Sequence, residues 1–273
     1  PQGAAGPAGS QGGIGPAGPR GTGWFVGTGA PTAPIAGALE GDLYLDMASG
    51  EVYRLEPAPA GTPVASLPAL GAPLEGGFYG GLYSLAGNGT ASHALIVAPK
   101  AGGETSGLAW KSANTATAGT ESSFDGLAAS QAAFDAGAAA HPAAAWARGL
   151  SIGGYSDWYV PSQFELLALF WTLKPEGGGD YPNTEEPGAG VNPYAVPQRG
   201  EFGYDTNPGQ TSASAFRLNQ AQALDMGQFY GVSTQGSTTS QQRYLSWMDG
   251  FGGAGSKTTT RHWRAIRRVA VIA

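Results

Sequence analysis

Pro161-Ser162-Gln163-Phe164-Glu165-Leu166-Leu167-Ala168-Leu169-Phe170-Trp171 is the stretch from which the fold is read. Ser162 followed three residues later by Glu165 has the pattern of a capping box, in which hydroxyl and carboxylate each close a backbone N–H of the first helical turn. The spacing therefore predicts a helix starting at Gln163. Apolar residues lie on nearly every side of it, which marks it as a core helix, and Lys174-Pro175 ends it. The texture around it is mixed. Ala94-Leu95-Ile96-Val97-Ala98, stopped by Pro99, reads as a short apolar strand, as does Gly107-Leu108-Ala109-Trp110-Lys111. An alanine-rich helix is expected over about Asp125 to Ala140, and a second from Pro142 to Arg148, closed by Gly149. The run Arg264 to Val271 reads as a terminal strand.

Composition narrows what such a chain does. With 46 glycines, 20 prolines and 12% charged residues among 273, it is too apolar and aromatic for disorder and too rich in turn formers to be mostly helical. One globular domain of roughly 200 residues with a thin extension fits best. The net charge of −6 gives no reason to expect a nucleic-acid partner, and no apolar run of membrane-spanning length suggests membrane insertion. The absence of cysteine excludes disulfides, thiolate metal sites and cysteine nucleophiles together.

The N-terminal extension has its own signature. Glycine recurs at Gly3, Gly6, Gly9, Gly12, Gly15, Gly18 and Gly21 without a miss, with Pro7, Pro16 and Pro19 between. Only glycine fits the crowded axis of a collagen triple helix, so these triplets predict a homotrimeric stalk over 1–23. At ~3.1 Å per residue its 21 residues in triplet phase would span ~65 Å and act as a spacer. A flexible Gly/Pro/Ala linker is the alternative, and unbroken phase argues against it. Pro1-Gln2 would complete a triplet whose glycine lies upstream, as expected in a fragment of a longer fibre. Trp24 and Phe25 cannot occupy the axis. A β-hairpin module follows over 24–56, with strands Gly41 to Asp46 and Glu51 to Leu55 about the Ala48-Ser49-Gly50 turn. Three such hairpins around an axis would bury Leu43, Leu45, Val52, Tyr53 and Leu55. The segment 57–77 reads as a semi-rigid Pro/Ala/Gly linker, and 78–273 as the tip domain.

Within the tip, Glu176 to Gln210 is long and irregular. Its tyrosines and asparagines suit an ordered recognition loop, and packing on its own domain or on a neighbour is the alternative. Three motifs in order, Ala94 to Lys111, Gly153 to Ser162 ahead of Glu165-Leu166, and Arg264-Ala265-Ile266-Arg267-Arg268, resemble the C-terminal domain family of collagen-like bacterial adhesins and bacteriophage tail fibres. The resemblance covers 78–273 and implies an α+β, C-type-lectin-like fold, two helices flanking a twisted antiparallel sheet with long loops on one side. Gly231-Val232-Ser233-Thr234 departs from a Trp-Ser-Ser-Thr-like strand of the relatives. The 24–56 segment likewise resembles hairpin modules that follow collagen-like stretches in viral tail fibres.

What the resemblance implies is a homotrimeric, extracellular part of a virion, joined to other tail or fibre proteins, that attaches to a host cell-surface receptor, glycan or protein. The candidate contacts are Tyr181, Asn183, Tyr194, Tyr204, Phe229, Tyr230, Trp247 and Phe251, aromatics to stack on sugar faces and amides to read hydroxyls. A structural fibre knob or capsid decoration, and a bacterial surface adhesin, are the other classes considered.

No catalytic residue, metal or cofactor is expected. Gly13-Ile14-Gly15-Pro16-Ala17-Gly18 matches a dinucleotide fingerprint by letter only, since it belongs to the triplet repeat. His93, His141 and His262 lack metal-ligand spacing. Glu185-Glu186-Pro187 with Asp180 reads as a solvated acidic loop rather than a calcium site. Arg261, Arg264, Arg267 and Arg268 offer either a polyanion site or a set of internal ion pairs, and the second is favoured.

Overall fold

A computed structural model describes residues 22–29, 42–54, 66–177, 192–198 and 209–271. In chain order these form β1 (Trp24–Gly27), β2 (Leu43–Asp46), β3 (Val52–Arg54), β4 (Pro73–Leu74), β5 (Gly77–Tyr83), β6 (His93–Val97) and β7 (Glu104–Ala109). Three helices follow, α1 (Gly126–Asp135), α2 (Pro142–Arg148) and α3 (Gln163–Leu173). The chain closes with β8 (Ala195–Val196), β9 (Phe229–Gln235), β10 (Gln241–Ser246), β11 (Gly252–Ser256), β12 (Thr260–Arg264) and β13 (Ile266–Ala270). Helices and mostly antiparallel sheets make an α+β protein. The triplet glycines Gly3 to Gly21 lie outside the described residues.

The capping box is present. Ser162 Oγ accepts from Glu165 N at 3.3 Å, and Glu165 Oε2 accepts from Ser162 N at 2.8 Å. The same Oε2 also accepts from Gly126 N at 3.1 Å, so one carboxylate closes the first turns of α3 and α1. A side chain at position 126 would collide with that carboxylate, which accounts for glycine there. Helix α1 is shorter than expected because the chain turns at Gly137, whose φ of +128° favours glycine. Helix α2 has the expected bounds, with Pro142 in its first turn and Gly149 as its cap.

Helix α3 is the centre of the core. Leu166, Leu167, Leu169, Phe170 and Leu173 pack with Tyr83, Leu95 and Val97 of the β13-β6-β5-β4 sheet, with Tyr230, Val232 and Leu245 of the β11-β10-β9-β12-β7 sheet, and with Trp247 just beyond β10. Each such burial stabilises by about 1.5–3 kcal/mol, which is why this short, mostly apolar helix sits between two layers. In two further clusters on these sheets, Trp158 joins Tyr79, Ile96 and Val269, and Trp110 joins Trp263, Ala143 and Ala147.

Three expectations change in detail. The terminal strand is two strands, β12 and β13, that belong to different sheets and part at Ala265, whose N–H and C=O bond to Gly103 and Ala98. The linker expected over 57–77 gives way in its second half to domain structure. Leu67, Leu70 and Leu74 pack on the core, and Gly71 N donates to Tyr79 O while Tyr79 N donates to Ala72 O. The divergent Gly231-Val232-Ser233-Thr234 is nevertheless strand, inside β9. The hairpin β2-β3 forms as expected, and β1 adds a third strand parallel to β2. No helix among the described residues is long and apolar enough to cross a membrane.

Candidate functional site

The arginine cluster resolves into internal pairs with one exception. Arg264 is buried and donates from Nη1 to Glu104 Oε2 and from Nε to Ala98 O, both at 2.8 Å. Arg267, also buried, grips Asp157 with Nε at 2.6 Å and Nη2 at 3.0 Å, reaches Glu75 Oε2 at 2.7 Å, and lies 4.0 Å from the Tyr155 ring centroid. Burial opposes its charge, but the two carboxylates outweigh that and raise its pKa. Arg268 Nη1 stands 3.0 Å from Asp125 Oδ1 and 3.5 Å from Glu165 Oε1, ion pairs without hydrogen-bond angles. These three are structural. The side chain of Arg261 has no ion pair or hydrogen bond among the described residues, and its Nε is buried without a partner.

Arg261 instead covers an aromatic strip. Its guanidinium lies 3.8 Å over the ring of Tyr244, which meets Phe229 edge-on at 5.3 Å between centroids. Phe229 on β9, Tyr244 on β10 and Arg261 on β12 come from adjacent strands of the five-stranded sheet. Alternation along β9 sends Tyr230 and Val232 into the core and leaves Phe229 and Gly231 on the other face. Glycines clear the ground for these side chains. A Cβ at Gly253 would lie 2.5 Å from the Tyr244 hydroxyl, one at Gly255 would lie 2.7 Å from Arg261 Nη2, and one at Gly231 would strike the Trp263 ring. Phe229 keeps 48% of its surface exposed, and Tyr244 and Arg261 are part-exposed. The two rings stand at 76° to each other, so the exposed Phe229 ring can pack on an apolar ring face while the guanidinium over Tyr244 donates hydrogen bonds to hydroxyl or carboxylate oxygens.

The expected contact residues divide. Tyr181, Asn183 and Tyr204 lie outside the described residues, as do Asp180, Glu185 and Glu186. Tyr194 is held against the domain, stacked on Phe124 at 4.8 Å and near Phe164 at 5.3 Å and Tyr83 at 6.0 Å, while Asn192 Nδ2 donates to Phe164 O. Tyr230 and Trp247 are corrected from surface to core. Both are fully buried, 5.7 Å apart, with Trp247 edge-on to Phe170 and the Tyr230 hydroxyl bonded to Asp225 N and Glu104 Oε2. Phe251 is part-buried in the β10–β11 turn, where its N–H donates to Asp249 Oδ1. Among the five of the eight that are described, Phe229 alone is an exposed aromatic. Tyr244 was not anticipated; its signal in the sequence is its place opposite the side-chain-poor Gly252-Gly253-Ala254-Gly255 strand.

Among the described residues no group of three histidine, cysteine or acidic side chains could hold a metal. His141 is tied at Nε2 to Thr117 Oγ1 and at Nδ1 to Gly137 O, and burial lowers its pKa. His93 is pushed down to about 4 by burial and then by Arg268.

The chain matches no protein-family model, no curated protein and no solved structure.

Proposed function

We propose that this chain is the tip of a homotrimeric bacteriophage tail fibre, a C-type-lectin-like domain carried on a collagen-like triple-helical stalk, and that it attaches the virion to a glycan or protein on the host cell surface. The observation that carries the binding role is the Phe229–Tyr244–Arg261 strip, an exposed Phe229 edge-on to a part-exposed Tyr244 that is capped by a guanidinium with no carboxylate partner among the described residues. Seven Gly-X-Y triplets in unbroken phase support three copies, and the ordered motifs over 78–273 support the family. Three weak sites on one stalk would gain attachment strength through effective concentration, which suits a fibre whose individual contacts are shallow. The withdrawal of Tyr230 and Trp247 into the core favours one competing reading, a structural fibre knob with no specific ligand.

The purified full chain separates the two. An attachment protein competes with phage for adsorption to host cells, and a Phe229→Ala/Tyr244→Ala double variant loses most of that competition while keeping its fold. Silence of the unaltered chain on both host cells and a glycan array identifies the structural knob. Undiminished competition by the double variant removes the strip as the site.

A further inference from the structure

The β1-β2-β3 sheet carries an apolar face that no described residue covers. In its register Trp24 lies beside Leu43 and Val26 beside Leu45, while on the other side of β2 Leu45 faces Val52 and Leu43 faces Arg54. Paired positions project to the same side of a sheet, so Trp24, Val26, Leu43, Leu45 and Val52 share one face, with Arg54 at its rim. Trp24 is 60% exposed, Val26 63% and Val52 52%, and the two leucines are half-buried. The opposite face holds Phe25, Tyr44 and Tyr53, with Tyr44 buried and its ring 6.4 Å from that of Tyr53. Tyr53, expected at a shared axis, thus lies on the wrong side for it, and Leu55 is outside the described residues.

The sequence just before this sheet says what covers the face. Gly21 is the last glycine of the seven triplets, three positions before Trp24, which is within ~10 Å along an extended chain. Gly-X-Y repeats are stable as three parallel chains about one axis, so a wound stalk delivers three copies of Trp24 to the same place, each with its apolar face free. An exposed apolar patch of this kind marks an interaction surface. A ring of three identical faces also closes without leaving an open edge.

We propose that the Trp24–Val26–Leu43–Leu45–Val52 face packs against the same face of two further copies of this chain, forming a three-sheet plug that sets the register of the stalk. This rests on the trimeric reading above, to which it adds the residues that meet and excludes the Tyr53 face. Asp46 fixes each sheet for the task. Its Oδ1 accepts from Gly29 N at 2.7 Å and Ala48 N at 2.8 Å, and its Oδ2 from Ser49 Oγ at 2.6 Å, so both loops are tied to β2 inside one copy.

The chain has no cysteine, so single cysteines report proximity without interference. Three full-length variants are compared after mild oxidation: Val26→Cys and Trp24→Cys on the proposed face, and Tyr53→Cys on the other. Val26→Cys or Trp24→Cys is expected to link two of the three protomers in a trimer, and Tyr53→Cys to link none. Val26→Asp is expected to weaken trimerisation at least tenfold by sedimentation, because Val26 is exposed in the single copy and its replacement leaves the protomer's own packing intact. A trimer in which both face cysteines link no better than Tyr53→Cys, or in which Val26→Asp has no effect, overturns the face and leaves the trimeric reading standing. An unaltered chain that sediments as a monomer at micromolar concentration overturns both.

Discussion

Replacing Glu165 by glutamine tests whether one buried carboxylate organises the tip domain. Glu165 is fully buried. Its Oε2 receives Ser162 N and Gly126 N, and its Oε1 receives the Tyr159 hydroxyl at 2.7 Å and faces Arg268 at 3.5 Å. Glutamine keeps the shape but only one oxygen. That oxygen stays on the two backbone N–H groups, since orphaning buried donors costs about 1–3 kcal/mol each, and the amide nitrogen then confronts Tyr159 and Arg268. The three hydrogen bonds from Ser162, Gly126 and Tyr159 lose their charge assistance at about 1 kcal/mol each and the Arg268 pair is lost as well, partly offset because a neutral amide is cheaper to bury than a carboxylate. The expected net loss near neutral pH is about 2 kcal/mol, a fall in Tm of about 4–8 °C for a domain of this size. Burial raises the Glu165 pKa despite Arg268 and the hydrogen bonds from Ser162 and Tyr159. A raised carboxyl contributes stability that is complete below its unfolded value of 4.5 and is lost as pH rises through the folded value. The gap between the native chain and Glu165→Gln is therefore widest below pH 4.5 and narrows on the alkaline side. Tryptophan-monitored denaturation of both chains at one protomer concentration, repeated across pH, measures it. A gap below about 0.5 kcal/mol at every pH, or one that widens as pH rises, refutes the reasoning.

Two further outcomes follow from the same geometry. Lys257 is buried over the Trp110 ring at 4.5 Å, with Thr115 O at 2.8 Å and Gln235 Oε1 as hydrogen-bond acceptors, and its pKa is pushed down to about 8 by burial and then by Lys111. Between about 8 and the ordinary 10.5 the unfolded chain holds this proton and the folded chain does not, so this group's contribution to stability rises with pH across that window by about 1–3 kcal/mol. Lys257→Met should remove that rise in a denaturation series from pH 7 to pH 11, and an identical slope in both chains counts against it. Gly231→Ala should cost about 1–3 kcal/mol by forcing the Trp263 ring off the sheet, seen as a lower denaturation midpoint. An unchanged midpoint would mean that the ring yields at no cost.

The sequence was most informative where the signal was local. The Ser162–Glu165 box, the Pro142 and Gly149 limits of α2 and the β2-β3 hairpin depend on chemistry within a few residues, and each appears within a residue or two of its expected place. Less legible were features made by residues far apart. That Glu165 also closes α1 depends on Gly126, 39 positions away. Arg264 and Glu104 are separated by 160 positions, so the arginine-rich ending favours internal pairing over a polyanion site from sequence without naming the partners. Strand β1 escaped notice because four residues next to a glycine repeat form a strand only by borrowing the edge of β2.

The same reasoning explains why aromatic content was a poor guide to the surface. Phe229 and Tyr230 are neighbours of similar apolar bulk, yet strand alternation sends the second into the core and leaves the first outside. Hydrophobicity therefore cannot choose between them; only the parity of β9 can, and that parity is fixed when Tyr230 and Val232 meet α3. Once it is fixed, the glycines of β11 and Gly231 decide what the outer face can carry, because each removes a Cβ where a ring or guanidinium now lies. A glycine-rich strand beside a tyrosine is thus the more informative sign of an outward-facing aromatic here, and on that criterion Tyr244 outranks Trp247. Adsorption that is lost with Tyr244→Ala would support that ranking, and adsorption that survives it would leave the glycines with a packing role alone.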